Sequence, residues 1–159
     1  MINDGLTDFL NGMGGASRIV LGMILGGMMS IDMGGPFNKA AYVFGTAQLA
    51  EGNFEVMAAV MAGGMVPPIA MGLSFITEGA IPFAASDPLR IIPSCAVGAA
   101  VAGGLSMAFG CTLRAPHGGI FVLPTIGNPA GYLLAVVIGA VVGCGILGLL
   151  RKELKEEER

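Results

Sequence analysis

The sequence predicts an all-α integral membrane protein with about four transmembrane helices, re-entrant hairpin segments and an amphipathic helix at its N-terminal end. Three observations carry that prediction. First, 54% of the 159 residues are hydrophobic and the mean hydropathy is +0.79. Second, only 12% are charged, about half the share of a soluble domain, and eight of the nineteen acidic and basic residues lie in Arg151–Arg159. Third, the chain holds 27 glycines, many in pairs such as Gly26-Gly27, Gly63-Gly64 and Gly103-Gly104. Small residues of this kind let membrane helices approach backbone to backbone.

Taken in order, Ile2–Met13 places Ile2, Leu6, Phe9, Leu10 and Met13 at near-helical spacing, with Asp4, Thr7, Asp8 and Asn11 on other faces. That pattern suits a surface-lying amphipathic helix. It lacks the basic start and apolar run of a cleavable signal peptide. Residues 16–33 form the first expected span. Asp32–Tyr42 then interrupts the apolar sequence with an acid, glycines, a proline, an amide and a lysine, and Ala40–Ala50 reads as a half-inserted helix. The second span is Phe54–Ser74, broken or kinked at Pro67-Pro68. Thr77–Arg90 is too short to cross and predicts a re-entrant hairpin. Ile91–Phe109 and Ala130–Leu150 are the third and fourth spans, separated by a loop with the lone histidine, His117, and by a Gly127-Asn128-Pro129 turn. Residues 1–150 thus form one membrane domain, and 151–159 a charged cytoplasmic tail.

Placing the C-terminus in the cytoplasm puts Arg18, Arg90, Arg151, Lys152, Lys155 and Arg159 inside, and Lys39 and Arg114 outside. That six-to-two split of the eight basic residues satisfies the positive-inside rule. The net charge of −3, with no basic cluster outside the tail, argues against a nucleic-acid partner. Cys95, Cys111 and Cys144 lack metal-ligand spacing and read as packing residues. Neither a metal nor a cofactor is expected.

Glu78 is the residue whose placement most needs a reason. It follows the apolar run Val56–Ile76, and an ionised carboxylate in a bilayer costs roughly 3 kcal/mol or more unless it meets a polar cavity. Its competing reading is a solvated loop tip. Asn38 and Lys39 follow the Gly-Gly-Pro break and could line a cavity, although Lys39 could instead neutralise Asp32. Asp87 and Arg90 read as a local ion pair or as part of a docking surface. His117 could bind sugar, gate a path, or bond to a carbonyl and hold the Pro116–Gly118 bend.

Three stretches carry a family resemblance: Asp32–Tyr42, Phe75–Phe83 together with Asp87–Arg90, and Leu113–Val122. Together they resemble the fructose-type IIC membrane component of the bacterial phosphoenolpyruvate-dependent sugar phosphotransferase system, and the chain looks like its C-terminal half. The resemblance implies a bacterial inner-membrane permease that binds fructose or a related hexose or hexitol. It further implies inward passage coupled to phosphorylation, the phosphate coming from a phosphocysteine on a IIB partner charged by IIA. Glu78 inherits the role of contacting sugar hydroxyls, and it is the candidate catalytic residue. Thr77, Asn38, Lys39 and His117 are the further candidate sugar ligands. With no phosphocarrier domain of its own, the chain is expected to act only with partners and to self-associate or join an N-terminal half. The alternatives are a non-phosphorylating channel or facilitator and an inert structural fragment.

Overall fold

The computed structural model describes residues 15–66 and 80–150. The expected amphipathic helix, the Pro67-Pro68 break, Thr77, Glu78 and the charged tail therefore lie outside the described residues. The described chain forms α1 (Gly15–Ile31), α2 (Pro36–Ala50), α3 (Phe54–Met65), α4 (Ile81–Ser86), α5 (Pro88–Ala108), a 3-10 turn (Ile120–Thr125) and α6 (Pro129–Leu150). No strand occurs among the described residues, only an isolated bridge between Leu113 and Ile126.

Local sequence explains where these helices begin. α2, α5 and α6 each open on a proline, whose fixed φ suits the first helical turn and whose missing N–H would have no intrahelical partner there. Asn128 supplies a cap for α6, its Oδ1 accepting from Gly131 N at 3.1 Å. α5 and α6, of 21 and 22 residues, are long and apolar enough to cross a membrane. α1 and α3 are shorter apolar helices, and α3 ends at Met65, one residue before the described segment stops.

Glycine then decides how the helices meet. A Cβ on Gly98 would lie 2.6 Å from Gly139 O, and one on Gly139 would lie 2.5 Å from Gly98 O. α5 and α6 therefore touch through bare backbone. On the other side of α5, a Cβ on Gly22 would lie 2.6 Å from Gly103 O, and one on Gly63 of α3 would lie 2.5 Å from Gly26 Cα. α3 sits within the bundle and is buried at every position from Val56 to Met65. Burial on every side accords with its uniformly apolar sequence.

These contacts correct the expected helix directions. The sequence reading has the first and third spans crossing the same way. In the structure Gly22 meets Gly103 and Met107, whereas Gly27 meets Ala96 and Ala100, so α1 and α5 are antiparallel. α2 is the reason. It has 15 residues, is about 22 Å long at the helical rise, and carries the chain back to the end where α1 began. There Arg18 Nη1 lies 3.4 Å from Glu55 Oε2. The segment Ala40–Ala50 is thus the larger part of a returning helix that starts at Pro36, not a short half-inserted one. Arg18, Glu55 and Arg114 share one end of the bundle, and Lys39, Asp87 and Arg90 the other.

Candidate functional site

The Asp32–Tyr42 break is a pair of interlocked helix caps. Met33 has φ 44° and Gly34 φ 108°, so the backbone reverses sharply after α1. Asp32 then accepts from two first-turn amides of the new helix, Phe37 N to Oδ2 at 2.7 Å and Asn38 N to Oδ1 at 3.0 Å. Its carboxylate also meets the positive end of the α2 dipole. Gly35 makes room for it, since a Cβ there would lie 2.5 Å from Asp32 Oδ2. In return, Asn38 Nδ2 donates to Met29 O at 2.8 Å, satisfying a carbonyl in the last turn of α1. The expected Asp32–Lys39 neutralisation gives way to this arrangement: backbone amides hold Asp32, and Lys39 is exposed and joins no ion pair among the described residues. The Asp87–Arg90 pair does form, with Arg90 Nη1 2.8 Å from Asp87 Oδ2 at the start of α5.

The His117 segment is anchored at both sides of its loop. Leu113 N donates to Phe54 O at 3.0 Å and Gly127 N to Thr112 O at 2.9 Å, while Leu113 and Ile126 are buried in the core. Cys111 is buried beneath them, and that burial pushes its thiol above the ordinary range, with Ser106 pulling the other way. From this base the loop reaches along α2, where Tyr42 Oη donates to Pro116 O at 2.6 Å. Tyr42 stands four residues from Asn38, about one helical turn, so a single face of α2 presents Asn38 and holds the His117 segment. His117 is exposed, and its Nδ1 donates to Gly118 O at 2.6 Å. A carbonyl can only accept, so this bond fixes the proton on Nδ1 and makes Nε2 the acceptor of the neutral ring. Gly119 follows with φ 91°, a conformation that favours glycine at the bend.

Of the candidate sugar ligands, the structure therefore associates Asn38 and His117 through α2 and Tyr42. Lys39 stands beside them in sequence on the exposed side of α2, and Thr77 and Glu78 lie outside the described residues. Sequence reasoning passed over Tyr42, although an aromatic hydroxyl four residues after a polar Asn on one helix face was a readable signal. It also passed over Arg18 and Glu55, whose separation by 37 positions gives no local sign of contact.

Comparison with known proteins finds clear relatives of this chain. The chain is 50% identical, over 96% of its length, to the fructose-specific EIIABC component of the phosphotransferase system of Bacillus subtilis. It is 48% identical over 96% of its length to the fructose permease IIC component of Bacillus amyloliquefaciens, and 48% identical over 99% to the fructose-specific EIIB'BC component of Escherichia coli K12. The chain is a homologue of fructose-type IIC components. It spans 28%, 58% and 32% of those three relatives and corresponds to their C-terminal part. No protein-family model matches the chain, and no solved structure does. With these IIC relatives and its apolar helices, this is an inner-membrane protein.

Proposed function

We propose that this chain is the sugar-binding membrane part of a phosphotransferase-system permease, translocating fructose or a related hexose or hexitol inward as a phosphocysteine IIB partner phosphorylates it. The observation that carries the proposal is the identity of about half the residues, over nearly the whole chain, to components named fructose-specific.

The corrected helix directions support one orientation. α6 ends at the Asp87–Arg90 end, where the chain continues into Arg151–Arg159. With that end cytoplasmic, Lys39, Arg90, Arg151, Lys152, Lys155 and Arg159 lie inside, and Arg18 and Arg114 outside. The six-to-two bias survives because Arg18 and Lys39 exchange sides. The IIB donor then docks at the Asp87–Arg90 end, whereas the His117 loop enters from the other end.

In this reading Glu78, with Thr77 beside it, binds the sugar and orients the hydroxyl that attacks the phosphocysteine. A desolvated carboxylate makes strong charge-assisted bonds to hydroxyls, and phosphoryl transfer depends mainly on holding the attacking oxygen in line. Asn38 contributes through the amide oxygen left over from its bond to Met29, and His117, carried on its loop, acts as a ligand or gate. Lys39, on the cytoplasmic side, lines the approach.

The test is fructose binding and IIB-dependent sugar-phosphate formation in membranes containing the protein, with phosphorylated IIB added. Glu78→Gln is expected to abolish phosphate formation and to weaken binding by about tenfold or more, the loss of a charge-assisted hydrogen bond. Full binding and phosphorylation by that variant would remove Glu78 from the site. Fructose uptake without any sugar phosphate would replace the permease reading with a facilitator.

A further inference from the structure

A second cluster of charge, at the base of the His117 loop, is left unused by the permease reading. At the end of the bundle opposite Asp87 and Arg90, a cavity of about 160 Å³ opens beside Arg18, Asn53, Glu55 and Thr112. Leu21, Val56 and Met107 also line it. Phe54 stands at the same place, its ring covered by the Arg114 guanidinium at 5.2 Å from the centroid.

The polar groups here are only partly used. Arg18 and Glu55 lie 3.4 Å apart, with 38% and 35% of their side chains exposed, longer than the roughly 2.7–2.9 Å of a strong charge-assisted bond. Guanidinium donors and carboxylate lone pairs are therefore left over on both partners. Asn53 Nδ2 donates to Gln48 Oε1 at 2.8 Å, leaving its own amide oxygen as an acceptor. Thr112 adds a hydroxyl that can act either way.

The chemistry selects a ligand class. Arg18 and Glu55 together carry no net charge, so an anion would be attracted by one and repelled by the other, and a cation likewise. A neutral polyhydroxyl molecule uses donors and acceptors at once, and its C–H face can rest on Leu21, Val56, Met107 and Phe54. We propose that the Arg18–Glu55 cavity is an encounter site for a hexose or hexitol, distinct from the Glu78 region and on the opposite side of the bundle from the phosphoryl donor. The choice of sugar rests on the permease reading above. In that orientation the cavity faces outward, where sugar first reaches the protein.

Equilibrium binding of radiolabelled D-fructose to the full chain in nanodiscs tests this. The expected result is two classes of site, one weakened about tenfold by Glu55→Gln or Arg18→Gln and the other by Glu78→Gln. A structural ion pair would be restored by the double variant Arg18→Glu with Glu55→Arg. A ligand site would not, because donor and acceptor have changed places on its wall, so restored binding in the double variant would overturn the proposal. Thr112→Val, outside the ion pair, is expected to weaken the same class about threefold, which keeps the test decisive if an Arg18 or Glu55 variant fails to fold. A single class lost only with Glu78→Gln would sink the encounter site and leave the permease intact. A single class lost only with Glu55→Gln would keep the cavity and remove Glu78. No fructose binding at all would overturn both.

Discussion

Two regions of this molecule bring helices together by opposite means. Along α1, α3, α5 and α6 the contacts are made by what is missing: Gly22, Gly26, Gly63, Gly98, Gly103 and Gly139 present bare backbone to backbone. Around α2 they are made by what is present: Asp32 on the amides of Phe37 and Asn38, Asn38 on Met29 O, and Tyr42 on Pro116 O. In a bilayer no hydrophobic force drives one helix onto another, so close packing and hydrogen bonds must do it. The glycine region gains dispersion contact over long stretches and tolerates nothing larger. The α2 region is held by a few directed bonds, each removable at modest cost. The first suits a fixed scaffold, and the second suits a segment that positions ligands.

The sharpest way to break this contrast is to add bulk in the glycine region. Gly103→Leu would drive a side chain into Gly22 O, and because backbone cannot step aside, the cost should exceed the usual ~1–3 kcal/mol of overpacking. The expected outcome is loss of the monodisperse peak in detergent. A variant that purified and melted normally would show that α1 and α5 do not meet there. The next largest effect belongs to Asp32→Ala, which leaves the Phe37 and Asn38 amides without their acceptor and should cost about 1–2 kcal/mol. The drop should appear as a lower melting midpoint, with Asp32→Asn recovering part of it.

Tyr42→Phe removes one hydrogen bond to Pro116 O and should cost about 1 kcal/mol of stability. Its more informative readout is hydrogen exchange. Protection should fall around residues 115–119 and stay unchanged in α5 and α6. The smallest effect is expected for Gly148→Ala, where an added Cβ meets nothing within 4 Å. That substitution should leave the melting midpoint unchanged or raise it slightly, since alanine loses less backbone entropy in a helix. A marked loss at Gly148 would reveal a partner surface on that end of α6.

Several features of this protein were legible because they are local. Asp87 and Arg90 are three residues apart at a helix start, and they pair as their spacing suggests. Gly127-Asn128-Pro129 was readable as a turn, and it is one, with Asn128 capping α6. Paired glycines announced close approach, and Gly26, Gly63 and Gly103 make it. The failures concern relations between distant residues. Lys39 was a plausible partner for Asp32 on charge alone. The amides of Phe37 and Asn38 take the carboxylate because the turn at Met33 and Gly34 presents them, and no count of charges contains that turn. The Arg18–Glu55 cavity is likewise invisible until α1 and α3 are side by side.

By itself, the sequence determined that this chain is helical, that it belongs in a membrane, and where most helices start, because hydropathy, proline and capping residues act over a few positions. Only the tertiary structure decided the directions of α1 and α2. A segment of 15 residues falls short of the ~20 that mark a full span, so composition treats it as a partial insertion and assigns α1 the wrong sense. The Asp32 cap starts it at Pro36, packing against α3 seats it, and the chain returns to the end it came from. One helix of marginal length thus sets which basic residues share a side, and its contribution lies in contacts with residues far along the chain.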